Sequence, residues 1–377
     1  MFAAELVGKF TKLFFRYECP HQPETLIHRF RAWVKDHENE MERAFDYVPS
    51  PGKPSIRSLV RPDFHPDGFV MWNYTPVAHM TLHLFEDGWS DPIRLARGLV
   101  FDTQGELLAL PFPKFFNYGE HRETREFKRA RIVDAREKFD GHLGIIIPFA
   151  QRFYLTTRGR FTSPSALLGT DLVQRHAKKH HWNTAYPHHL TVLVEIVHPN
   201  TRVHVDYGGA SKLVLIGAFH RQTGEDIYGD ALDELGELLS LEVSPRVNVR
   251  TIKGLTTLMR DRSVENREGI VARFDDGRRV KFKFERYIGL MVAAKLNHSY
   301  LMRRIMDNKA RTMIATLDEE VRPAALRMKR QLLRVRPLAH QNPRAAVKRI
   351  RSFVVPERDI ASFQQTAREF VRFLRAE

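Results

Sequence analysis

The chain has 377 residues, of which 60 are Lys or Arg and 45 are Asp or Glu, giving a net charge of +15. With 43% hydrophobic residues and a single cysteine, Cys19, it has length for two or three domains with cores of their own, and collagen-like, disordered and disulfide-scaffold classes are excluded. Residues 291–377 hold 19 basic against 8 acidic side chains, a net of +11, whereas the other 290 residues carry 41 against 37.

In chain order, Met1–Phe15 mixes Phe and Leu with Lys9 and Lys12 and lacks a small-residue cleavage site, so it predicts an amphipathic helix and not a signal peptide. Phe10, Phe14 and Phe15 are expected in the core. Leu26, Phe30, Trp33 and Val34 continue helical spacing, and residues 1–45 read as mostly helix. The stretch 46–66, with Pro49, Pro51, Pro54, Pro62 and Pro66, reads as loop. From Phe69 to Phe284 short apolar runs alternate with turn residues: Gly98–Phe101, Leu107–Leu110, Gly144–Phe149, Phe153–Thr157, Leu190–Val197, Val203–Tyr207 and Leu213–Phe219. That spacing predicts an antiparallel α+β domain. After Tyr287 helical stretches follow at Ile288–Met306, Ala310–Leu333, Ala345–Val354 and Asp359–Leu374, with breaks near Pro337 and Pro356. The expected division is therefore 1–68 as a helical and loop region packing on the catalytic domain, 69–287 as that domain, and 288–377 as a basic helical domain. The apolar runs are too short to span a bilayer. The lone cysteine fits a reducing cytosol. No glycine-rich phosphate loop is present.

Four constellations carry chemistry. Glu137-Lys138-Phe139-Asp140-Gly141 follows one strand-like stretch and precedes another, placing an amine and an acid beside a tight turn; a charged hairpin tip is the competing reading. Glu268-Gly269-Ile270-Val271, the turn Asp275-Asp276-Gly277 and Val280-Lys281-Phe282-Lys283-Phe284 form a hairpin signal, with Lys281 and Lys283 on one strand face. Two cations there repel unless something negative, such as a triphosphate, lies between them or solvent screens them. Ala96-Arg97-Gly98-Leu99-Val100-Phe101 is followed by Pro113-Lys114-Phe115-Phe116-Asn117. Glu195 is a single acid in the apolar strand Leu193–Val197, where burial is costly without a partner. The histidines His176, His180, His181, His188 and His189 around Trp182 lack metal-ligand spacing and read as solvated loop residues.

Taken in order, these motifs resemble the covalent nucleotidyltransferase superfamily of ligases and capping enzymes. The Arg-Gly and Lys-Phe-Phe-Asn blocks narrow the likeness to the phage-type RNA ligase 1 family, similar also to the ligase module of tRNA ligases, over roughly Asn73 to Tyr287. The resemblance implies an antiparallel-sheet nucleotidyltransferase (ATP-grasp-like ligase) domain followed by a helical C-terminal domain. It implies Lys138 as the nucleophile forming lysyl-AMP, with a lowered pKa, and Lys281 and Lys283 as the cations facing the reacting phosphates. ATP would meet Arg97, Gly98, Lys114, Phe116, Gly141, Arg158, Glu195 and Glu268, with Phe116 stacking on adenine and Gly141 leaving room for the nucleotide. Asp140, Glu195 and Glu268 would hold Mg²⁺ or Mn²⁺. Arg158 and His142 stand where the family usually has lysine and serine. The implied activity is sealing of RNA 5′-phosphate and 3′-hydroxyl ends, cleaved tRNA among them, as in RNA repair, by a cytoplasmic monomer with no membrane partner. The alternatives are another covalent nucleotidyltransferase (a tRNA-ligase-type module, a DNA ligase or a capping guanylyltransferase) or an inactive RNA-binding protein. Arg303, Arg304, Arg330, Arg334, Arg349 and Arg351 are the expected RNA contacts of the basic tail.

Overall fold

A computed structural model describes residues 3–16, 23–82, 85, 88–127, 130–261, 263–317, 321–353 and 360–376. Cys19, Val354, Pro356 and Asp359 lie outside the described residues, and with them the ends of two expected helices. The chain forms two compact units, Met1–Phe284 and Glu285–Glu377.

The helix Ala3–Phe15 buries Ala4, Val7, Phe10, Thr11 and Phe14 on one face, as its apolar spacing requires. Thr11 accepts a hydrogen bond from the Trp72 indole (2.9 Å) and donates to the Val7 carbonyl, so the one polar group on this face is satisfied. Phe14 and the partly buried Phe15 pack into the same core, together with Phe30 of the next helix and Trp72 of the first sheet. Helices Pro23–Asp36, Glu38–Ala44 and Ile56–Leu59 follow. The expected loop over 46–66 is corrected at its end: β1, Val60–His65, follows Ile56–Leu59 directly. β1 is the edge strand of a four-stranded sheet, a position where Pro62 costs no ladder bond.

That sheet has the order β1-β2-β3-β4, with β2 Phe69–Tyr74, β3 Arg97–Asp102 and β4 Leu107–Ala109. A second sheet runs β10-β9-β8-β6-β7: β6 His142–Phe149, β7 Arg152–Thr156, β8 Leu190–Val197, β9 Lys212–His220 and β10 Asp226–Ile227, with β11, Glu242–Val243, parallel beside β9. The third sheet is β13-β12-β5, from β5 Ile132–Lys138, β12 Gly269–Phe274 and β13 Arg279–Lys283. All pairs but β9–β11 are antiparallel. Every residue of β8 is buried, because the helix Pro164–Lys179 and the first core cover its two faces.

The expected strand Val203–Tyr207 is absent. The His204 and Val205 amides donate to the Asp140 carboxylate, each at 2.6 Å, and a carboxylate thus replaces the strand partner that the apolar alternation anticipates. In the second unit the expected Ile288–Met306 helix is two, Glu285–Lys295 and His298–Met306, because Asn297 caps the second by accepting from the Tyr300 amide. Ala310–Leu333 likewise divides into Ala310–Thr316 and Arg322–Leu333, the latter opening with Pro323 in its first turn. Helices Arg336–Gln341, Pro343–Arg351 and Ile360–Ala376 complete the unit; the break near Pro337 falls at Arg334 and Val335, with Pro337 in the first turn of the next helix.

Candidate active site

The third sheet assembles the charged centre. Gly269 pairs with Lys138 on one side and Lys283 on the other, so the two lysines flank the strand that begins after Glu268. Lys138 Nζ donates to Glu268 Oε2 at 2.7 Å, and Lys283 Nζ lies 3.2 Å from Glu268 Oε1. One carboxylate, only 3% exposed, thus bridges two ammonium groups that are 130 and 15 residues away in the chain. Val280, Phe282 and Phe284 point into the core behind them, which fixes Lys281 and Lys283 toward the cleft. The cleft encloses about 250 Å³ and is lined by Arg97, Phe115, Lys138, Glu195, Glu268, Lys281 and Lys283 among others.

Glu195 enters from β8 and is buried, accepting from the Gly141 amide at 3.0 Å. Burial pushes its carboxyl up to about 7; Lys138 opposes this, and the nearby Glu268 adds to it. Between its ordinary 4.5 and about 7 the native protein therefore keeps a proton that the unfolded chain releases. The stabilisation is fully present below the lower value and is lost as pH rises through the higher one, by about 3 kcal/mol. Thermal melting at pH 5 and pH 8 is expected to show this fall for the ligand-free protein and a flatter profile for Glu195→Gln. Identical profiles would contradict it.

Gly141 is demanded by the protein itself. A Cβ there would lie 2.3 Å from the Ile196 carbonyl and 3.0 Å from Glu195, so close packing on β8 by itself requires glycine. Gly98 has φ +105° and sits at the register shift between β2 and β3, a bulge that pairs Arg97 with Asn73 and sends Arg97 to the cleft.

Other expected residues are placed differently. Phe116 is 2% exposed, stacks on His121 at 4.2 Å and is not free to meet a base; Phe115, on the opposite side of the same segment, lines the cleft, as does Phe112. The alternation of a segment whose Phe116 and Asn117 bond to β13 puts Lys114 and Phe116 inward together. Lys114 is 5% exposed, its ammonium facing the rings of Phe116, Trp89 and Tyr74 at 4.6, 5.1 and 5.9 Å, so it lies outside the cleft lining. Asp140 likewise serves the 203–207 loop: besides the His204 and Val205 bonds, its own amide donates to Tyr207 Oη at 2.7 Å, and it lines a separate hollow. The His204 and Val205 amides both bond the same oxygen, Oδ2. His142 bonds the Thr201 carbonyl through its ring. His176 is not a loop residue but sits on the helix Pro164–Lys179 against Trp182, bonded to the Leu239 carbonyl.

Tyr74 was invisible to motif reading. Arg158 donates to its hydroxyl at 2.7 Å, and the Arg97 guanidinium is close enough to attract its charge. Burial raises this phenol, but Arg158, Arg97, Lys114 and Lys281 together outweigh burial and bring it to about 8. Cations from four separate segments thus converge on one buried phenol at the end of β2, a place suited to negative charge. Only its position before Thr75, which caps the helix starting at Pro76, could have drawn attention to it.

In the second unit, Arg330, Arg334, Arg349 and Arg351 are exposed, and Arg330 and Arg334 share a helical face. Arg303 is tied to the buried Thr366 hydroxyl at 3.3 Å, and Arg304 lies 4.9 Å over the Tyr300 ring.

The cleft thus brings together Lys138 at the end of β5, Glu268 just before β12, Lys281 and Lys283 on β13, and Arg97, an arrangement able to hold a nucleotide's phosphates beside an amine. A family model described as RNA ligase matches residues 95–287, and the chain belongs to that phage-type RNA ligase 1 family. A Thermovibrio ammonificans protein described as an inferred RNA ligase is 28% identical over 254 residues, 64% of this chain. The chain spans 65% of the length of that curated relative. Among solved structures, an archaeal ATP-dependent RNA ligase is similar with a TM-score of 0.44 at 14% identity, covering 83% of this chain and 92% of that one. A Naegleria gruberi RNA ligase with pyrophosphate gives a TM-score of 0.36 at 12% identity, covering 42% and 51%.

Proposed function

We propose that the protein is an ATP-dependent RNA ligase joining 5′-phosphate and 3′-hydroxyl ends, cleaved tRNA being one such substrate. The observation that carries this reading is the Lys138–Glu268–Lys283 bridge facing a cleft that also holds Glu195, Lys281 and Arg97. Lys138 Nζ attacks the α-phosphorus of ATP; the N–P bond forms, the bond to pyrophosphate breaks, and Glu268, at 2.7 Å, is within reach of the departing proton. Lys281 and Lys283 stabilise charge developing on the phosphoryl oxygens, and the Arg97–Arg158–Tyr74 cluster holds the departing polyphosphate. AMP then passes to the RNA 5′-phosphate, and the 3′-hydroxyl displaces it to form the phosphodiester. Phe115 and Phe112, not Phe116, are the rings available to the adenine.

Among the described residues no group of three or more His, Cys, Asp or Glu side chains is placed to hold a metal ion. Mg²⁺ needs fewer, since it keeps waters and shares phosphate oxygens. Glu195 and Glu268 fit that role, because each raises the electrostatic cost of the other's charge and a cation relieves it. Bound there, Mg²⁺ or Mn²⁺ would supply charge neutralisation for the phosphates.

The test is label transfer to the protein from α-labelled ATP or GTP with Mg²⁺. An acid-labile adduct from ATP, far exceeding that from GTP, is expected; preferred labelling by GTP would move the protein to the capping class. A DNA ligase or capping enzyme commonly carries a β-barrel after the last motif, whereas helices follow Lys283 here.

The second unit is proposed to bind RNA through its exposed arginines. Charge reversal of Arg330, Arg334 and Arg349 together is expected to weaken RNA binding and to shallow its salt dependence by about 0.7–0.9 log units per lost contact, with adduct formation from ATP retained. Unchanged affinity and slope would assign these arginines to a solvated surface. No helix among the described residues is long and apolar enough to cross a membrane. A cytoplasmic monomer belongs to the same proposal.

A further inference from the structure

A second concavity lies in the first unit, between the helix Pro23–Asp36, β1 and the loop 157–163. It encloses about 840 Å³. Its floor is apolar, from Phe30, Val34 and Phe64, and its rim carries Arg31, Lys35, Arg61 and Arg160, all exposed. Arg31 and Lys35 are four residues apart and share a helical face; Arg61 alternates outward from the buried Val60 and Pro62. None of these four side chains forms an ion pair within 4.0 Å among the described residues. Arg57, also at the rim, is taken up by Glu38 at 2.8 Å and is not counted.

The one acid in the lining, Asp63, stands against four rim cations and leaves the rim net positive. It accepts from the Phe161 amide at 2.9 Å, and burial pushes its carboxyl up, against the pull of Arg160 and Arg61. That bond also pins the loop that joins groove and active site. Arg158 bonds Tyr74 in the cation cluster, and Arg160, two residues on, lines the groove, so their Cα atoms are at most about 7 Å apart. Thr75 also lines the groove and directly follows Tyr74. The two concavities are therefore neighbours along two separate segments.

We propose that this groove binds the phosphodiester backbone of the single-stranded RNA end presented to the active site, an inference that rests on the ligase reading above. A cationic rim over an apolar floor matches what a single strand offers, with phosphates meeting arginine and lysine while ribose and base faces cover apolar surface. A folded acidic protein surface has no need of such a floor.

The experiment measures binding of a 5′-fluorescein-labelled, 20-nucleotide single-stranded RNA to the full chain by anisotropy across a salt series. Neutralising Arg31→Gln, Lys35→Gln, Arg61→Gln and Arg160→Gln together should weaken binding at least about tenfold at 100 mM salt and shallow the log–log salt slope by about 3, at roughly 0.7 per lost contact. The milder pair Arg31→Gln, Lys35→Gln, on exposed helix positions, should shallow it by about 1.4 with an unchanged melting temperature. The pair Lys178→Gln, Lys179→Gln, exposed on the helix Pro164–Lys179, removes as much charge elsewhere and should change neither quantity. Wild-type affinity and slope in both groove variants, or an equal loss in the Lys178/Lys179 pair, overturns the proposal. So does retained RNA binding with loss of poly-L-glutamate binding, which would assign the groove to an acidic protein. Adduct formation by the wild-type protein with ATP is scored in parallel. If the adduct forms and the groove variants bind RNA normally, the groove alone is wrong; if it does not form, the ligase reading fails.

Discussion

Lys138→Ala is expected to give no protein–AMP adduct and no joining of unmodified RNA ends. The loss should be complete, because the nitrogen that forms the phosphoramidate bond is removed; Lys283, the other lysine on the shared carboxylate, is held 3.2 Å from Glu268 on the far strand of the sheet. Sealing of RNA that already carries a 5′-adenylyl group should survive in part, since that step forms the bond between RNA ends and needs no lysine nucleophile. The measurement is gel-resolved transfer of α-labelled AMP, with pre-adenylylated RNA as the second substrate. An adduct of ordinary yield in the variant would remove Lys138 from the chemistry.

Glu268→Ala should be nearly as damaging, for a different reason. Its carboxylate lies between Lys138 and Lys283, and their side chains are 23% and 10% exposed. Removing it leaves two ammonium groups facing each other with little water to screen them, and breaking a buried pair of this kind costs about 3–5 kcal/mol. Lys138 also loses the group that sets its direction toward the cleft, so adduct formation should fall by about 10²-fold or more. Glu268→Gln keeps the shape and an acceptor oxygen but removes the charge that both lysines share; it should be destabilised less than Glu268→Ala and remain deficient in adenylylation. Chelator should silence the wild-type protein and added Mg²⁺ or Mn²⁺ restore it. Wild-type adduct yield in both variants would show that this carboxylate only packs the sheet.

Most of the strand-rich body could be read from residue order because its strands announce themselves locally. Leu190–Val197 is apolar apart from Thr191 and Glu195 and is buried along its whole length, and Asp275-Asp276-Gly277 marks the turn joining β12 to β13. The same locality explains the failures. Val203–Tyr207 has the alternation of a strand, but its amides are claimed by a carboxylate 64 residues earlier, which no window along the chain can register. Pro62 argued for loop because proline is excluded from paired interior strands, and the sequence does not say that this strand is an edge. Within the site, Lys138, Glu268 and Lys283 stood in recognisable motifs, whereas the choice between Phe115 and Phe116 depends on which side of one segment faces β13. Tyr74 had no motif at all. Its environment is made by cations from four segments, and only the folded chain brings them together.

The loop beyond β8 is fastened to the segments that carry Lys138 and Glu268. Asp140 grips the His204 and Val205 amides, the Tyr207 ring stacks on Phe139, and Asn266, two residues before Glu268, exchanges two hydrogen bonds with the Asp206 backbone. Those amide protons consequently act as built-in reporters. Deuterium uptake at His204 and Val205 measures how often the turn after Lys138 lets go, and uptake at Asp206 measures the same for the approach to Glu268. If the two segments open together, the three sites will exchange with one free energy of opening; if the turn after Lys138 loosens alone, His204 and Val205 will exchange while Asp206 stays protected. Mass spectrometry of a single peptide could thus follow both sides of the cleft through the reaction cycle without any label placed in the cleft itself.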